Sequence, residues 1–325
     1  MEIFLTGGSG FVGSHVAENL VDAGHQVVAM VRSTSDTEHL EGLDLRMVEA
    51  SLEEPDGLAD VVADVDAVVH VAGITGAPDA KTLYRVNAEG TRRLVDLVAN
   101  VAEPGTRFVY VSSVSAQGPS KGPKPRDPGA MPEPVSHYGR SKLEGEGAVL
   151  AHRDDLAVTI IRPPVVYGPR DRDMFEVFQL ADRRLAPIIG GGRRWLSVIH
   201  GEDAARAIAA CIEAPGDGEI YTIDDGRCYT WRQLGETISE AVGKRALVIP
   251  LPEWIFASAA TIAEFGGGLF DTTATFNRDK YREMCQRGWV CGHDAIGQDL
   301  GWEPKWELAA GASQTAEWYR DHGWL

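Results

Sequence analysis

Residues 5–13 read Leu-Thr-Gly-Gly-Ser-Gly-Phe-Val-Gly, and this stretch decides the fold of the chain. An apolar run precedes it, and Val12, Val16 and Leu20 then recur every four residues, which indicates a strand followed by a helix. Glycines at such a junction let the backbone turn tightly and approach a pyrophosphate at the helix N-terminus, where free N–H groups and the helix dipole favour anions. The stretch therefore predicts a dinucleotide-binding loop.

The first half of the chain alternates short apolar strands with helices. The predicted strands are Glu2–Thr6, Gln26–Val31, Leu45–Val48, Ala67–Val71, Arg107–Ser112 and Val158–Ile161. Helices are predicted between them, among them Thr82–Val101 and Ser136–Ala151. Near-continuous apolar strands separated by helices are typical of a parallel sheet covered on both faces. The predicted fold class is therefore α/β, a doubly wound parallel sheet (Rossmann fold) whose ligands lie at the carboxyl ends of the strands.

The chain has 325 residues, which is long for one compact unit and favours two domains. Beyond Pro163 the rhythm changes, although the helix–strand unit Glu202–Glu213 and Glu219–Ile223 could return to the sheet. We predict a dinucleotide-binding Rossmann domain of residues 1–165 plus about 196–229, and a smaller C-terminal substrate-binding cap of residues 166–195 plus about 230–325.

The charge balance restricts the classes of partner. The chain carries 31 basic and 48 acidic residues, a formal net charge of −17, and such a potential repels phosphate backbones, so we expect no nucleic-acid partner. The first residues are predicted strand and phosphate loop, which leaves no room for a signal peptide. The apolar segment 254–270 contains Glu264 and three consecutive glycines, which interrupt it too soon for a membrane span. We expect a soluble, cytoplasmic protein with no membrane partner.

The four cysteines include no CxxC pair. Cys291, Gly292 and His293 are adjacent, but no further ligands stand at the spacing that a metal site requires. We therefore expect ordinary reduced thiols and no metal site.

A second motif follows the predicted strand 107–112. Ser113 comes at its carboxyl end, and Tyr138 and Lys142 stand four apart on a predicted helix, hence on one face. A tyrosine hydroxyl titrates at about 10 in water, so bringing its pKa to ~7 requires roughly 4 kcal/mol, which a neighbouring ammonium in a dry site can supply. The intervening loop 118–134 is rich in Pro and Lys without periodicity, and we predict a mobile flap beside the site.

Further stretches join these two motifs. They are TGGSGFVG (6–13), DAVVHVAG (66–73), NAEGTRRL (87–94), VYVSSVSAQG (109–118), YGRSK (138–142), RPPVVYGP (162–169), IHGEDAARAI (199–208) and LGWEP (300–304). With them the chain resembles, over essentially its whole length, the extended short-chain dehydrogenase/reductase family, also called the NAD-dependent epimerase/dehydratase family. The Arg-Pro-Pro-Val-Val-Tyr pattern is most similar to that of the dihydroflavonol-reductase and hydroxysteroid-dehydrogenase-like members.

The resemblance implies roles for the polar residues of these motifs. Tyr138 would be the general acid for carbonyl reduction or the base for alcohol oxidation, and Ser113 would hydrogen-bond the reacting oxygen. Lys142 would hold the nicotinamide ribose and lower the pKa of the tyrosine. Asn87 matches an asparagine that helps to hold a water and the lysine, although a capping or packing amide is an alternative. Ser115 is either a substrate contact or a plain loop serine.

The resemblance also implies which residues contact the cofactor. They are Gly7, Gly10, Phe11, Val12, Gly13, Arg32, Ser51, Leu52, Ala72, Gly73, Tyr138, Lys142, Pro163 and Val165. An NAD-selecting site usually has a carboxylate at the end of the second strand, where this chain has Val31 and then Arg32. An arginine followed by hydroxyl residues favours the 2′-phosphate of NADP, whereas NAD remains possible with Arg32 stacked on adenine. Ser51 replaces the aspartate that usually binds the adenine amine, and could do so more weakly.

Two departures concern the nucleotide-sugar branch of the family. Pro164 stands where that branch commonly has an asparagine, and Leu196 stands where it has an arginine that grips the pyrophosphate. Arg193 and Arg194 are near enough in sequence to compensate. A set of apolar cap residues would suit a greasy substrate or simply pack a helix on the core: Trp254, Ile255, Phe256, Ile262, Phe265, Leu269 and Phe270.

The leading hypothesis is an oxidoreductase that moves a hydride between NADP(H) and a carbonyl or secondary alcohol of a small, mainly apolar molecule. The second is a nucleotide-sugar epimerase or dehydratase with tightly bound NAD, and the third is a non-catalytic cofactor-binding protein. The resemblance further implies a homodimer formed through the helices 82–101 and 136–151.

Overall fold

The computed structural model describes residues 1–189, 191–253 and 278–325. Its strands are β1 Glu2–Thr6, β2 Gln26–Val31, β3 Leu45–Glu49, β4 Ala67–His70, β5 Arg107–Val111, β6 Ala157–Arg162, β7 Val165–Tyr167, β8 Leu185–Ile189, β9 Trp195–Leu196, β10 Val198–His200, β11 Asp217–Thr222, β12 Tyr229–Thr230, β13 Leu247–Leu251 and β14 Gly288–Trp289. Seven of them form one parallel sheet in the order β11–β6–β5–β4–β1–β2–β3. The chain winds outward from β1 in both directions, so the switch point lies between β1 and β4.

Helices pack on both faces of this sheet, and further helices lie in the C-terminal half. They are α1 Phe11–Asp22, α2 Ala59–Val62, α3 Ala80–Tyr84, α4 Thr91–Val101, α5 Val114–Gln117, α6 His137–Leu150, α7 Phe175–Asp182, α8 Gly201–Ala210, α9 Trp231–Ala241, α10 Arg278–Met284, α11 Asp294–Leu300 and α12 Leu308–Asp321. A turn of π-helix, Arg85–Gly90, joins α3 to α4, and short 3₁₀ turns lie at Glu38–Leu40, Pro55–Leu58 and Cys211–Glu213. Within the described residues, no helix has both the length and the apolar character needed to cross a bilayer.

The predicted fold class is confirmed. Every predicted strand is a strand of the central sheet, with ends that differ by two residues or fewer. The unit predicted at 202–213 and 219–223 does return to the sheet, because β11 pairs in parallel with β6. The helix predicted at 82–101 is interrupted by the π-turn, which a 3.6-residue periodicity does not reveal.

The core has one layer on each face of the sheet, because successive side chains of a strand point in opposite directions. Ile3 and Leu5 of β1 pack with Val16 of α1 on one face, whereas Phe4 packs with Leu94 of α4 on the other. All five side chains are fully buried, and each burial contributes roughly 1.5–3 kcal/mol. Burial on both faces explains why the strands read as continuous apolar runs.

A third apolar cluster lies in the C-terminal half, with Tyr167, Phe178, Leu196, Leu234 and Tyr319 among its buried members. Three small sheets accompany it: β10–β7, β12–β9–β14 and β13–β8. Most of these elements come from the segments predicted to form the cap, whereas β10 and Leu196 belong to the segment 196–229 that was predicted to join the Rossmann domain. The domain boundaries themselves stay a prediction. The apolar cap residues named above lie outside the described residues: Trp254, Ile255, Phe256, Ile262, Phe265, Leu269 and Phe270.

The loop 118–134 is anchored by hydrogen bonds. The Ser120 N–H donates to the Gly288 carbonyl of β14 at 2.8 Å. The Arg126 guanidinium donates to the Met131 carbonyl at 2.7 Å and to the Glu133 carboxylate at 2.9 Å. The segment predicted as a mobile flap is therefore tied both to itself and to β14.

Alanine substitutions at two glycines of α6 test how closely this helix packs on the sheet. A Cβ at Gly145 would overlap the Tyr110 hydroxyl and lie 2.7 Å from the Asn87 carbonyl oxygen, so Gly145→Ala should lower the free energy of unfolding by about 1–3 kcal/mol. Gly147 is exposed in the same helix and a Cβ there meets nothing within 4 Å, so Gly147→Ala should raise it by about 0.5–1 kcal/mol. Urea unfolding measures both, and effects of the same sign would contradict this packing.

Candidate active site

The glycine loop after β1 packs against the end of β4. Gly7 has φ +75°, and a Cβ there would lie 2.6 Å from the Ala72 amide nitrogen, so only glycine fits. A Cβ at Gly13 would overlap the Gly7 carbonyl oxygen, to which the Gly10 N–H donates at 3.0 Å. No side chain caps α1, so the first-turn amides beginning at Phe11 have no side-chain acceptor. A bare helix N-terminus behind a tight glycine turn fits the pyrophosphate of a dinucleotide.

The predicted cofactor residues lie at one edge of the sheet. Arg32, Ser51, Ala72, Gly73, Pro163 and Val165 follow the carboxyl ends of β2, β3, β4 and β6, and Phe11 and Val12 begin α1. Because the strands are parallel, the structure brings these segments to the same edge. The Ser51 hydroxyl accepts from the Glu53 N–H at 3.2 Å, and Leu52 packs against Gly90.

Lys142 reaches the sheet from α6. Its Nζ donates to the Val111 carbonyl at 2.7 Å and lies 4.5 Å from the centre of the Tyr110 ring. Burial lowers the pKa of Lys142 to about 7, and the negative charge of Glu146, one turn further along α6, acts against this fall. The ammonium form is therefore held by a carbonyl and a ring face and favoured by the charge of Glu146, and it can gain or lose its proton near neutral pH.

Tyr138 lies one turn before Lys142 on the same helix. Burial raises the pKa of Tyr138 to about 12, a hydrogen bond with the Ser113 side chain acts against the rise, and the charges of Glu283 and Asp173 add to it. Ser113 itself is the N-cap of α5, where its hydroxyl also accepts from the Ser115 N–H at 3.2 Å. The structure thus joins the predicted serine and tyrosine. Burial, and not a neighbouring ammonium, makes the largest contribution to the pKa of the phenol.

Asn87 lies in the π-turn and fastens the segment after β4. Its Nδ2 donates to the Ile74 carbonyl at 2.9 Å and to the Ser141 hydroxyl at 3.1 Å, while its Oδ1 accepts from the Ile74 N–H at 2.9 Å. A Cβ at Gly73 would lie 3.1 Å from Asn87 Oδ1 and 3.4 Å from Lys142 Nζ. The amide therefore acts here as a packing group, and its predicted contact with a water and the lysine stays a prediction.

A series of buried, hydrogen-bonded side chains lies next to the glycine loop, and the sequence analysis did not predict it. His70 Nδ1 lies 2.6 Å from the Thr6 hydroxyl, and Nε2 lies 2.9 Å from the Thr91 hydroxyl, which donates to the Asn87 carbonyl at 2.8 Å. The Thr6 oxygen also accepts from the Ala72 N–H at 3.3 Å. This order of donors suits a neutral imidazole with its proton on Nε2. The sequence feature that could have indicated this chain of hydrogen bonds is a histidine within the apolar strand predicted at 67–71.

A buried ion pair connects α6 to β6, and the sequence analysis did not predict it either. Arg162 donates from Nε and Nη2 to the two carboxylate oxygens of Glu146 at 2.8 and 2.6 Å. The Ser112 hydroxyl donates to the same carboxylate at 2.5 Å. Both charged side chains are almost fully buried. Bidentate geometry and a third donor satisfy the carboxylate, which is the condition under which a buried pair is tolerated.

A profile of the NAD dependent epimerase/dehydratase family matches residues 3–224. This chain belongs to that family. It is 30% identical to the ceramide reductase of Caulobacter vibrioides (strain NA1000 / CB15N), over 99% of this chain and 96% of that protein. It is 28% identical to the decarboxylating sterol-4-alpha-carboxylate 3-dehydrogenase of Dictyostelium discoideum, over 78% of this chain and 83% of that protein.

The fold is likewise similar to that of solved members of the family. A dTDP-glucose 4,6-dehydratase from Streptomyces venezuelae, determined with NAD bound, superposes with a TM-score of 0.81 at 24% identity and covers 100% of this chain and 99% of that one. At this identity the similarity shows the fold alone. The family identified from the motifs is confirmed, and its members include NAD-dependent oxidoreductases, epimerases and dehydratases.

The neutral His70 makes stability depend on pH. Burial lowers the pKa of His70 from 6.5 to about 3, so between these values the unfolded chain binds more protons than the folded one. The free energy of unfolding therefore rises with pH in this window, and the contribution is lost as the pH falls toward 3. His70→Gln should flatten the dependence of the urea-unfolding free energy on pH between about 4 and 6.5. A slope equal to that of the parent protein would contradict the buried neutral imidazole.

Proposed function

We propose that this protein is an NAD(P)-dependent oxidoreductase that transfers a hydride between nicotinamide and a carbonyl or secondary alcohol of a small, mainly apolar substrate. The observation that carries the proposal is the placement of three side chains at the carboxyl edge of the sheet. The Ser113 side chain lies near enough to the Tyr138 phenol to lower its pKa, and Lys142 lies one turn further along α6. A hydroxyl, a phenol and an amine beside a dinucleotide loop can hold a carbonyl oxygen and protonate it.

The nicotinamide supplies or accepts the hydride when the cofactor is bound. In the reducing direction Tyr138 donates its proton to the substrate oxygen, while Ser113 donates a hydrogen bond to the same atom. A pKa of about 12 keeps the phenol protonated at neutral pH, as a proton donor requires. The ammonium form of Lys142 stabilises the phenolate that remains, and the Glu146 carboxylate favours that form. Alcohol oxidation uses the same groups in reverse.

We assign NADP as the preferred cofactor, with NAD as the alternative. Arg32 follows β2 directly and is exposed, and its guanidinium forms no ion pair within the described residues. Its backbone is held in a tight turn, since the Arg32 N–H donates to the Ser35 hydroxyl at 3.0 Å. An unpaired guanidinium beside hydroxyl residues supports recognition of a 2′-phosphate.

The proposed substrate class rests on how two described residues, Leu196 and Arg194, are placed. Leu196, at the position of the pyrophosphate-binding arginine, is fully buried in the C-terminal cluster. Arg194 is bound to the Glu253 carboxylate and to the Cys285 carbonyl. The relatives named as ceramide reductase and sterol carboxylate dehydrogenase act, by their names, on lipid-like molecules. These observations support an apolar carbonyl compound over a nucleotide sugar.

The second candidate is a nucleotide-sugar epimerase or dehydratase that recycles tightly bound NAD, as the similar dTDP-glucose 4,6-dehydratase fold allows. Native mass spectrometry of the purified protein separates the two. Retained NAD, together with no net change in nicotinamide absorbance on adding UDP- or dTDP-sugars, would favour this candidate. A protein that turns over added NADPH with ketones supports the oxidoreductase.

Replacing Tyr138 tests the proposed acid. Tyr138→Phe should lower turnover of a panel of alicyclic and long-chain ketones with NADPH by at least ~100-fold, because a positioned acid contributes about that much. Affinity for NADPH, measured by fluorescence titration, should change less than about threefold, since Tyr138 works mainly on the substrate oxygen. Tyr221→Phe, which removes a hydroxyl bound to Asp299 of α11 at 3.0 Å, is the matched control. Full activity of Tyr138→Phe would remove this residue from the mechanism.

Replacing Arg32 tests the choice of cofactor. Arg32→Ala should weaken NADPH binding by about 10- to 100-fold, because a charge-assisted pair contributes roughly 1.5–3 kcal/mol, and should weaken NADH binding far less. Arg46→Ala, which removes an exposed arginine paired with Glu2 on the same sheet, controls for loss of a positive charge. Isothermal titration with both nucleotides measures the effect. Equal losses for NADPH and NADH would point to adenine stacking instead.

A further inference from the structure

The first turn of α6 is capped partly by a distant segment of the chain. Ser136 is the local N-cap, and its hydroxyl accepts from the Gly139 N–H at 2.9 Å. The amides of His137 and Tyr138 donate to the two carboxylate oxygens of Asp279 at 2.9 and 3.1 Å. Asp279 lies on α10, about 140 residues further along the chain. The first amides of the helix that carries Tyr138 are thus satisfied by side chains, and two of them by one remote carboxylate.

A second acid of α10 completes this arrangement. Glu283 stands four residues after Asp279, on the same face of the helix, and its carboxylate accepts from the Ser136 hydroxyl at 2.8 Å. Ser136 is fully buried and Glu283 nearly so. The Glu283 carbonyl in turn accepts from the Trp289 indole N–H at 2.8 Å, which fixes the end of α10. The pair of acids therefore holds both the cap residue and the capped amides.

The arrangement is favourable for simple electrostatic reasons. The N-terminus of a helix carries partial positive charge from its unpaired N–H groups, and a carboxylate placed there is stabilised and stabilises the helix. Helix ends otherwise fray, and a frayed first turn changes the direction of the side chains it carries. Tyr138 is the second residue of α6, so the position of its hydroxyl depends on this turn more than on the rest of the helix.

We propose that Asp279 and Glu283 are positioning residues that keep the Tyr138 hydroxyl against Ser113 by fixing the first turn of α6. The inference rests on the proposed role of Tyr138 as proton donor, and it assigns to α10 a part in that role. It couples the C-terminal region to the first turn of α6 through two backbone N–H donors and the Ser136 hydroxyl. Neither acid touches the substrate oxygen in this scheme.

The same acids affect the ionisation of the phenol. The groups that act on Tyr138 are Ser113, whose hydrogen bond lowers its pKa, and Glu283 and Asp173, whose negative charges raise it. Lys142 lies one turn further along α6, with its Nζ on the Val111 carbonyl, and a positive charge there favours the phenolate. Removing the charge of Glu283 should therefore move the pKa of Tyr138 downward.

The test uses the full chain without substrate or cofactor. We expect Asp279→Ala to speed hydrogen exchange of the His137 and Tyr138 amides at least about tenfold and to shift the ¹³Cζ resonance of Tyr138, which Tyr138→Phe assigns. Asp279→Asn keeps one acceptor oxygen and should give an intermediate result. Glu283→Gln should lower the pKa of Tyr138 in a ¹³C-tyrosine titration. If Asp279→Ala does not fold, Asp279→Asn and Glu283→Gln decide the matter.

Two control variants distinguish a positioning role of the acids from a general loss of protein stability. Thr230→Ala removes the cap of α9, a capping box elsewhere in the C-terminal half, and should lower thermal stability without moving the Tyr138 resonance. Glu317→Gln removes an exposed negative charge from α12 and should leave the titration unchanged. Folded Asp279 and Glu283 variants with parental exchange, resonance and titration would overturn the inference. Failure of the proposed function would instead appear as an active Tyr138→Phe, so the two outcomes are distinguishable.

Discussion

The candidate site depends on how closely helix α6 approaches the sheet. A Cβ at Gly139 would overlap the Ser115 carbonyl, and one at Gly145 would overlap the Tyr110 hydroxyl, so this face of the helix is in direct contact with its neighbours. Because the axis lies so close, Lys142 reaches a strand carbonyl and the bidentate pair of Glu146 can form beneath it. Protein interiors tolerate little displacement, so the positions of Tyr138 and Lys142 follow from this contact.

The titratable side chains buried next to the site have fixed hydrogen-bond partners. His70 stays neutral between two threonine hydroxyls, and Glu146 is satisfied by Arg162 and a serine hydroxyl. Lys142 differs from them, because a carbonyl and a ring face hold it and burial brings its pKa to about 7. The charge of Lys142, one turn from Tyr138 on α6, can therefore change near neutral pH.

The fold by itself does not choose the substrate. Reductases of lipid-like molecules and enzymes of nucleotide sugars share this sheet and its loop, and function resides in the side chains placed on it. Here Leu196 belongs to a core cluster and Arg194 is engaged by Glu253. The C-terminal half thus contributes an apolar cluster that includes Leu196, and through α10 it also caps the helix that carries Tyr138.

The sequence by itself determined the order of strands and helices, the glycine loop and the spacing of Tyr138 and Lys142, because these depend on local periodicity and short-range steric limits. Three features follow from the tertiary structure alone. Burial sets the pKa of the Tyr138 phenol, two threonine hydroxyls hold His70, and Asp279 caps α6 from about 140 residues away. Desolvation and remote hydrogen bonds depend on which segments meet in space, and no spacing within one segment encodes that meeting.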